Sequence, residues 1–151
     1  MLIEYEKHFF IMQYLYDYTK TIKKKEVPIS SFIILKNKII SKSNNRMIKY
    51  SNPNAHAEII SLKKATYNLK SHFLYGATIY ITQEPCIMCI ESIINHKIKK
   101  IIFASESSNT KKWDFFKYLI RKKKLDLVIN IKDKKFKKIL KNFFFSNRRL
   151  R

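Results

Sequence analysis

The chain has 151 residues, 46% of them hydrophobic and including eleven Phe, enough for one folded domain with a sizeable core and too apolar for a disordered chain. Thirty-two Lys plus Arg stand against eleven Asp plus Glu, a formal net charge of +21. An excess of this size attracts polyanions through phosphate contacts, although Lys-rich decoration of a solvated surface accounts for charge alone equally well.

In chain order, residues 2–20 carry Phe9, Met12, Leu15 and Tyr16 at helical spacing with charged residues between them, which predicts a first helix. A basic stretch leads to Pro28, which cannot continue a helix. Ser31–Leu35 and Ile39–Ser43 are short β-rich runs joined at Lys36-Asn37-Lys38, a hairpin pattern. Asn44–Asn54 is polar, contains Pro53 and reads as a loop. Ala55–Leu69 returns to helical spacing through Ile59, Ile60, Leu62 and Ala65. Ala77–Thr82 reads as a third strand, followed by a helix from Pro85, a residue suited to a first helical turn, to about His96. Lys100–Ala104 and Asp126–Ile131 read as the fourth and fifth strands, with a helix at Lys111–Leu119 between them. Lys132–Phe145 reads as a last helix with Phe136, Ile139, Leu140 and Phe143 on one face. No repeat or linker divides the chain, so residues 1–151 are expected to form a single α/β domain around one mixed sheet.

Two cysteines three residues apart make no disulfide framework, which points to a reducing cytosol. The N-terminal segment mixes Glu4, Glu6, Lys7 and Asp17 into its apolar residues, so it reads as neither a signal peptide nor a membrane span. No stretch reaches the roughly 18 apolar residues of a transmembrane helix.

Two short segments carry chemistry: Asn54-Ala55-His56-Ala57-Glu58 and Glu84-Pro85-Cys86-Ile87-Met88-Cys89. Cys86 and Cys89, at i and i+3 in a first helical turn, place both sulfurs on one face. The positive end of that helix is expected to lower the thiol pKa values and favour the metal-binding thiolates. His56 opens the preceding helix. A strand between two helices on one side of a sheet brings their N-termini together, so His56, Cys86 and Cys89 can converge on one ion. A CxxC pair also serves thiol–disulfide exchange, but that chemistry needs no His-x-Glu at a second helix start. A closed structural zinc site needs four protein ligands. The chain has no third Cys, and His8, His72 and His96 do not lie at comparable helix starts. Three ligands leave a position for water, and Glu58 sits where a side chain could move protons without binding metal.

His-Ala-Glu followed by Pro-Cys-x-x-Cys resembles the signature of the zinc cytidine/deoxycytidylate deaminase superfamily. More narrowly, the chain is similar to the bacterial tRNA adenosine deaminases. Glu26-Val27-Pro28, Asn44-Asn45-Arg46, the run Asn52–Ile59, the run Tyr80–Cys89, and Phe144-Phe145 with Arg148-Arg149 match that family's E-V-P, its Asn before the His, D-P-T-A-H-A-E-I, Y-V-T-L-E-P-C-V-M-C and F-F-x-x-R-R. The resemblance implies a three-layer α-β-α sandwich around a five-stranded mixed sheet and one zinc ion per subunit on His56, Cys86 and Cys89. It implies Glu58 as the proton carrier in hydrolytic deamination of the wobble adenosine of tRNA to inosine, with release of ammonia. By the same resemblance Asn45 hydrogen-bonds base or ribose and Val27 packs beside the purine. The backbone around Gln83 and Glu84 helps hold the base. Phe144, Phe145, Arg148 and Arg149 grip the anticodon stem-loop of tRNA in a cytoplasmic homodimer. Two features depart from the family: Ser30 stands for a Gly, and Phe103-Ala104-Ser105-Glu106-Ser107 for F-G-A-x-D, with Ser107 replacing an Asp of an RNA-contacting loop. Deamination of a free base or nucleotide such as guanine, cytosine or cytidine, and a catalytically silent RNA-binding subunit, are the alternatives. The polyanion-attracting charge and the intact Glu58 respectively count against them.

Overall fold

A computed structural model of the chain describes residues 2–106 and 111–148. The elements are α1 (Leu2–Thr19), β1 (Ser30–Leu35), β2 (Lys38–Asn44), α2 (Ala57–Leu69), β3 (Thr78–Gln83), α3 (Ile87–Asn95), β4 (Lys100–Ser105), α4 (Lys111–Arg121), β5 (Leu127–Asn130) and α5 (Lys134–Arg148). The strands form one sheet in the order β2-β1-β3-β4-β5. β1 runs antiparallel to β2 and β3, while β3, β4 and β5 are parallel. This is the expected mixed five-stranded sheet, and connection lengths explain its two halves. β1 and β2 are joined by Lys36 and Asn37 alone, both at positive φ (49° and 63°), the backbone of a tight two-residue hairpin. Parallel neighbours need a crossover, and α3 and α4 supply one each.

Side-chain alternation along the strands sorts the core into two clusters. Ile33, Ile79, Ile81, Ile101 and Phe103 pack with Leu62 and Ala65 of α2, Ile90 and Ile93 of α3, and Phe116 and Leu119 of α4. Phe32, Tyr80, Ile102 and Ala104 pack with Met12 and Leu15 of α1 and Phe136 of α5. The layering is therefore α-β-α, as the resemblance implied. The central strands bury both faces and accordingly read as nearly unbroken apolar runs.

The terminal helices show where local pattern and packing part. In α1 the inward positions are His8, Met12, Leu15 and Thr19, and Phe9 is exposed, contrary to the expected stripe. His8 takes the inward place because its Nδ1 lies 2.8 Å from the hydroxyl of Tyr80 on β3, which satisfies one of its ring nitrogens in the core. In α5 the expected face is inward, with Phe136 buried and Ile139, Leu140 and Phe143 half-buried. This helix begins at Lys134 rather than Lys132, because Lys132 has a φ of 57° and the Asp133 carboxylate accepts the N–H of Lys135 at 2.9 Å as an N-cap. The family departure at Ser30 is absorbed by a buried polar cluster, in which its hydroxyl donates to Asn44 Oδ1 at 2.7 Å and accepts from Thr19 Oγ1 at 2.9 Å. Ser107 lies outside the described residues.

Candidate metal centre and its cavity

The two chemistry-bearing segments fold into the N-terminal ends of α2 and α3, on the same side of the sheet and flanking β3. His56 is the N-cap of α2 and Cys86 the N-cap of α3, both with extended backbone and neither side chain spent on capping its own helix. Pro85 therefore precedes the cap rather than lying in the first turn, and α3 starts at Ile87. Cys89 lies one turn on and is fully buried.

His56 Nδ1 stands 3.7 Å from Cys86 Sγ and 3.5 Å from Cys89 Sγ. The three ligand atoms lie within 4.8 Å of one another and form a group that could hold a metal ion. Ordinary zinc–nitrogen and zinc–sulfur bond lengths at a tetrahedral angle require a nitrogen–sulfur separation of about 3.6 Å, so the donor set fits that geometry. Among the described residues no fourth His, Cys, Asp or Glu joins the group. His8 is engaged with Tyr80, His96 Nδ1 lies 2.7 Å from its own helix at Ser92 O, and His72 is exposed. Among the described residues the group offers three ligand atoms, the number an open site would use.

The Cys89 thiol does not follow the helix-end expectation. Burial pushes the Cys89 thiol well above its ordinary range, and the neighbouring Glu58 and Cys86 add to the rise. Desolvation of a fully buried sulfur outweighs the partial positive charge of one helix terminus. A divalent cation on the group would reverse this balance, since a coordinating thiol is deprotonated outright.

A cavity of about 230 Å3 opens beside the triad, lined by Val27, Ile29, Asn45, Met47, His56, Glu58, Gln83, Glu84 and Cys86. The fold thus brings together His56, Cys86, Glu58, Asn45, Val27, Gln83 and Glu84 around one space, with Cys89 buried against it. Glu58 is buried in the first turn of α2 and hydrogen-bonds with Cys89. Asn45 is buried, its backbone N–H donating to Ile29 O at 2.9 Å. Gln83 Oε1 accepts the Ser105 hydroxyl at 2.6 Å, and the Glu84 N–H donates to Ser105 O at 2.8 Å. The Glu84 backbone donor is therefore already spent within the protein, which narrows the expected backbone role of that segment. Phe144 and Phe145 are exposed on α5 and do not line the cavity. Arg148 is the last residue of α5, and Arg149 lies outside the described residues.

Three neighbours of the cavity site were given no role in the sequence reading. Ile29 and Met47 are apolar walls contributed by loop residues, where no periodicity marks them. Glu26, which lies beneath Asn45, was visible only as the first letter of a motif. Its carboxylate accepts from Asn45 Nδ2 at 3.3 Å, from the Ile48 N–H at 3.3 Å and from the Lys49 N–H at 2.7 Å. Among the described residues, no helix is long and apolar enough to cross a membrane.

Residues 6–149 match the model of the MafB19-like deaminase family. The tRNA-specific adenosine deaminase of Buchnera aphidicola subsp. Schizaphis graminum is 38% identical over 126 residues, covering 82% of this chain and 83% of that protein. A structure from studies of A-to-I editing by tRNA:A34 deaminases at the wobble position is 33% identical and superposes with a TM-score of 0.54, covering 56% of this chain and 65% of that one. The guanine deaminase of Nitrosomonas europaea shares the fold at a TM-score of 0.74 and 17% identity, over 87% of this chain and 81% of its own. The chain belongs to the MafB19-like deaminase family.

Proposed function

We propose that this protein is a zinc-dependent tRNA adenosine deaminase that converts the wobble adenosine to inosine, consuming water and releasing ammonia. The observation that carries the reading is the single cavity shared by a three-ligand His/Cys/Cys group, a buried carboxylate and Asn45. The 38% identity to a relative named tRNA-specific adenosine deaminase supports the same substrate, as does the +21 charge. Zinc, when bound, supplies a Lewis acid that brings the pKa of water towards neutrality. Glu58 would take one proton from the water whose oxygen adds to C6 of the adenine and pass it to the exocyclic nitrogen, which leaves as ammonia as the C6–N bond breaks, while the second water proton ends on ring N1 of inosine. Val27, Ile29 and Met47 give the flat base an apolar slot, and Asn45 offers a polar anchor beside it. At about 230 Å3 the cavity falls below the roughly 300–1,000 Å3 of drug-sized sites, which suits one flipped base with the rest of the nucleotide outside.

Outside the slot, the exposed Phe144 and Phe145 and the lysines of α5 suit stacking and phosphate contacts with the anticodon stem-loop. The family motif assigns Arg148 and Arg149 to the same RNA-gripping surface. The whole chain acts as one deaminase domain in a cytoplasmic homodimer. The groove that Tyr50, Ile59, Ile60 and Tyr67 line on the outer side of α2 gives the second copy an apolar seat. The deciding experiment is incubation of the zinc-loaded protein with tRNA or an anticodon stem-loop carrying a wobble adenosine, followed by nucleoside analysis. Inosine is the expected product. No inosine, together with turnover of free guanine or cytidine, would assign the site to a small-molecule deaminase. RNA affinity should fall steeply as salt rises, and a flat response would remove the phosphate-gripping role of the basic surface.

A further inference from the structure

The geometry points to Glu26 as a positioning residue that sets the hydrogen-bonding polarity of Asn45 and so decides which group of the substrate the cavity accepts at that point. The inference rests on the deaminase reading above. Glu26 is 5% exposed in a chain with a large excess of cations, yet among the described residues no ion pair involves it. Its carboxylate is satisfied by three N–H groups instead: Lys49 N on Oε1, and Ile48 N and Asn45 Nδ2 on Oε2.

An ionised carboxylate only accepts. Asn45 must therefore turn its amide nitrogen to Glu26, which directs Oδ1 away from Glu26 as an acceptor. That oxygen then offers an acceptor to a substrate hydroxyl or N–H donor at this point. The same carboxylate ties the loop of Arg46–Lys49 to the segment that carries Val27. That loop is held at its other end by the Arg46 N–H on Ala55 O, next to His56. Glu26 thus joins the wall formed by Val27 and Ile29 to the wall formed by Asn45 and Met47, without touching the cavity itself.

The chemistry suggests a reciprocal exchange. In Glu26→Gln, one of the two accepting oxygens becomes an NH2 donor. The backbone N–H groups of Ile48 and Lys49 cannot reverse, whereas the Asn45 amide can. The introduced amide keeps its oxygen on the shortest bond, at Lys49, and turns its NH2 to Asn45, which flips and offers a donor to the substrate, while the Ile48 N–H that shared Oε2 loses its acceptor. Adding Asn45→Asp in that background restores the original polarity towards the cavity. The new carboxylate takes the introduced NH2 on one oxygen and presents the other to the substrate as an acceptor.

The test is a double-variant cycle of wild type, Glu26→Gln, Asn45→Asp and the pair together. Each is assayed for inosine formation on the stem-loop, with zinc content and thermal unfolding measured in parallel. Each single variant is expected to raise KM by about tenfold or more, since a misdirected buried hydrogen bond is lost. Effects on kcat should stay within about threefold, as for a binding contact equal in ground and transition states. The double variant should lower KM at least about threefold below that of Asn45→Asp alone, by the non-additivity expected of partners in contact, with the Ile48 N–H still lacking its acceptor. A wild-type protein that makes no inosine would sink the functional reading and is seen separately from the cycle. With an active wild type, an unchanged KM in Glu26→Gln, or a double variant no better than Asn45→Asp alone, would overturn the inference. Should Glu26→Gln fail to fold, the comparison of Asn45→Asp with the double variant decides by the same criterion.

Discussion

Glu58→Gln separates the proposed proton carrier from the proposed metal ligands more cleanly than any other substitution. Gln has the shape of Glu, and the site is 4% exposed, so the fold should tolerate the exchange. A positioned acid–base group is worth about 10²–10⁴ in rate, which at roughly 1.4 kcal/mol per tenfold is about 3–5 kcal/mol of barrier. The metal should behave in the opposite way. Among the causes that raise the Cys89 thiol, burial is the largest, but the Glu58 charge and its hydrogen bond both contribute. Removing that charge makes the Cys89 thiolate easier to form, so zinc affinity should be retained or increase. The assay pairs elemental analysis of zinc per chain with single-turnover inosine formation on a stem-loop. The expected result is full zinc occupancy with kcat lowered at least about a hundredfold. Loss of zinc would mean that Glu58 belongs to the ligand set, and a kcat within about tenfold of wild type would refute its proton-carrying role.

Cys86→Ala should empty the site, since two remaining ligands do not hold the ion, and zinc at about 100 times its dissociation constant should then no longer add the ~2.7 kcal/mol of stability it gives wild type; a zinc-dependent melting temperature in the variant would contradict the ligand assignment. Tyr80 is held protonated by burial up to about 12, against 10.0 ordinarily. Because the folded value is the higher one, this stability is complete below pH 10 and is lost as pH rises towards 12, about 2–3 kcal/mol in total. Tyr80→Phe should therefore show a shallower loss of urea stability between pH 9 and pH 11 than wild type, and parallel profiles would refute the burial argument. Phe103 is fully buried and stacks on Phe116 at a centroid distance of 6.0 Å. Phe103→Ala should cost about 3–5 kcal/mol by denaturant titration, and a loss below about 1 kcal/mol would mean that the cluster beneath α4 collapses to fill the space.

Much of this protein was legible without coordinates because its signals are local. Helix and strand periods, the loop prolines and the sulfur spacing of Cys86 and Cys89 are properties of neighbouring residues, as is the step from His56 to Glu58. The order of elements and the short hairpin together imply a mixed sheet, which in turn implies adjacent helix N-termini. Those inferences survived with boundaries moved by one to three residues. Local signals could not decide questions that turn on partners distant in sequence. α1 carries large apolar and aromatic side chains on more than one side, so its period does not choose between Phe9 and His8; the choice belongs to Tyr80, which lies far along the chain. The helix-end argument for an acidic thiol fails at Cys89, because burial there is a tertiary fact. The Glu84 N–H is taken by Ser105 O on the adjoining strand, a pairing the local sequence does not announce. Glu26, Ile29 and Met47 joined the site only because two irregular segments fold against each other there. The sequence by itself determined which atoms could hold a metal and carry a proton; the tertiary structure decided their solvation and the polarity of the groups around them, because desolvation and hydrogen-bond direction depend on everything packed nearby.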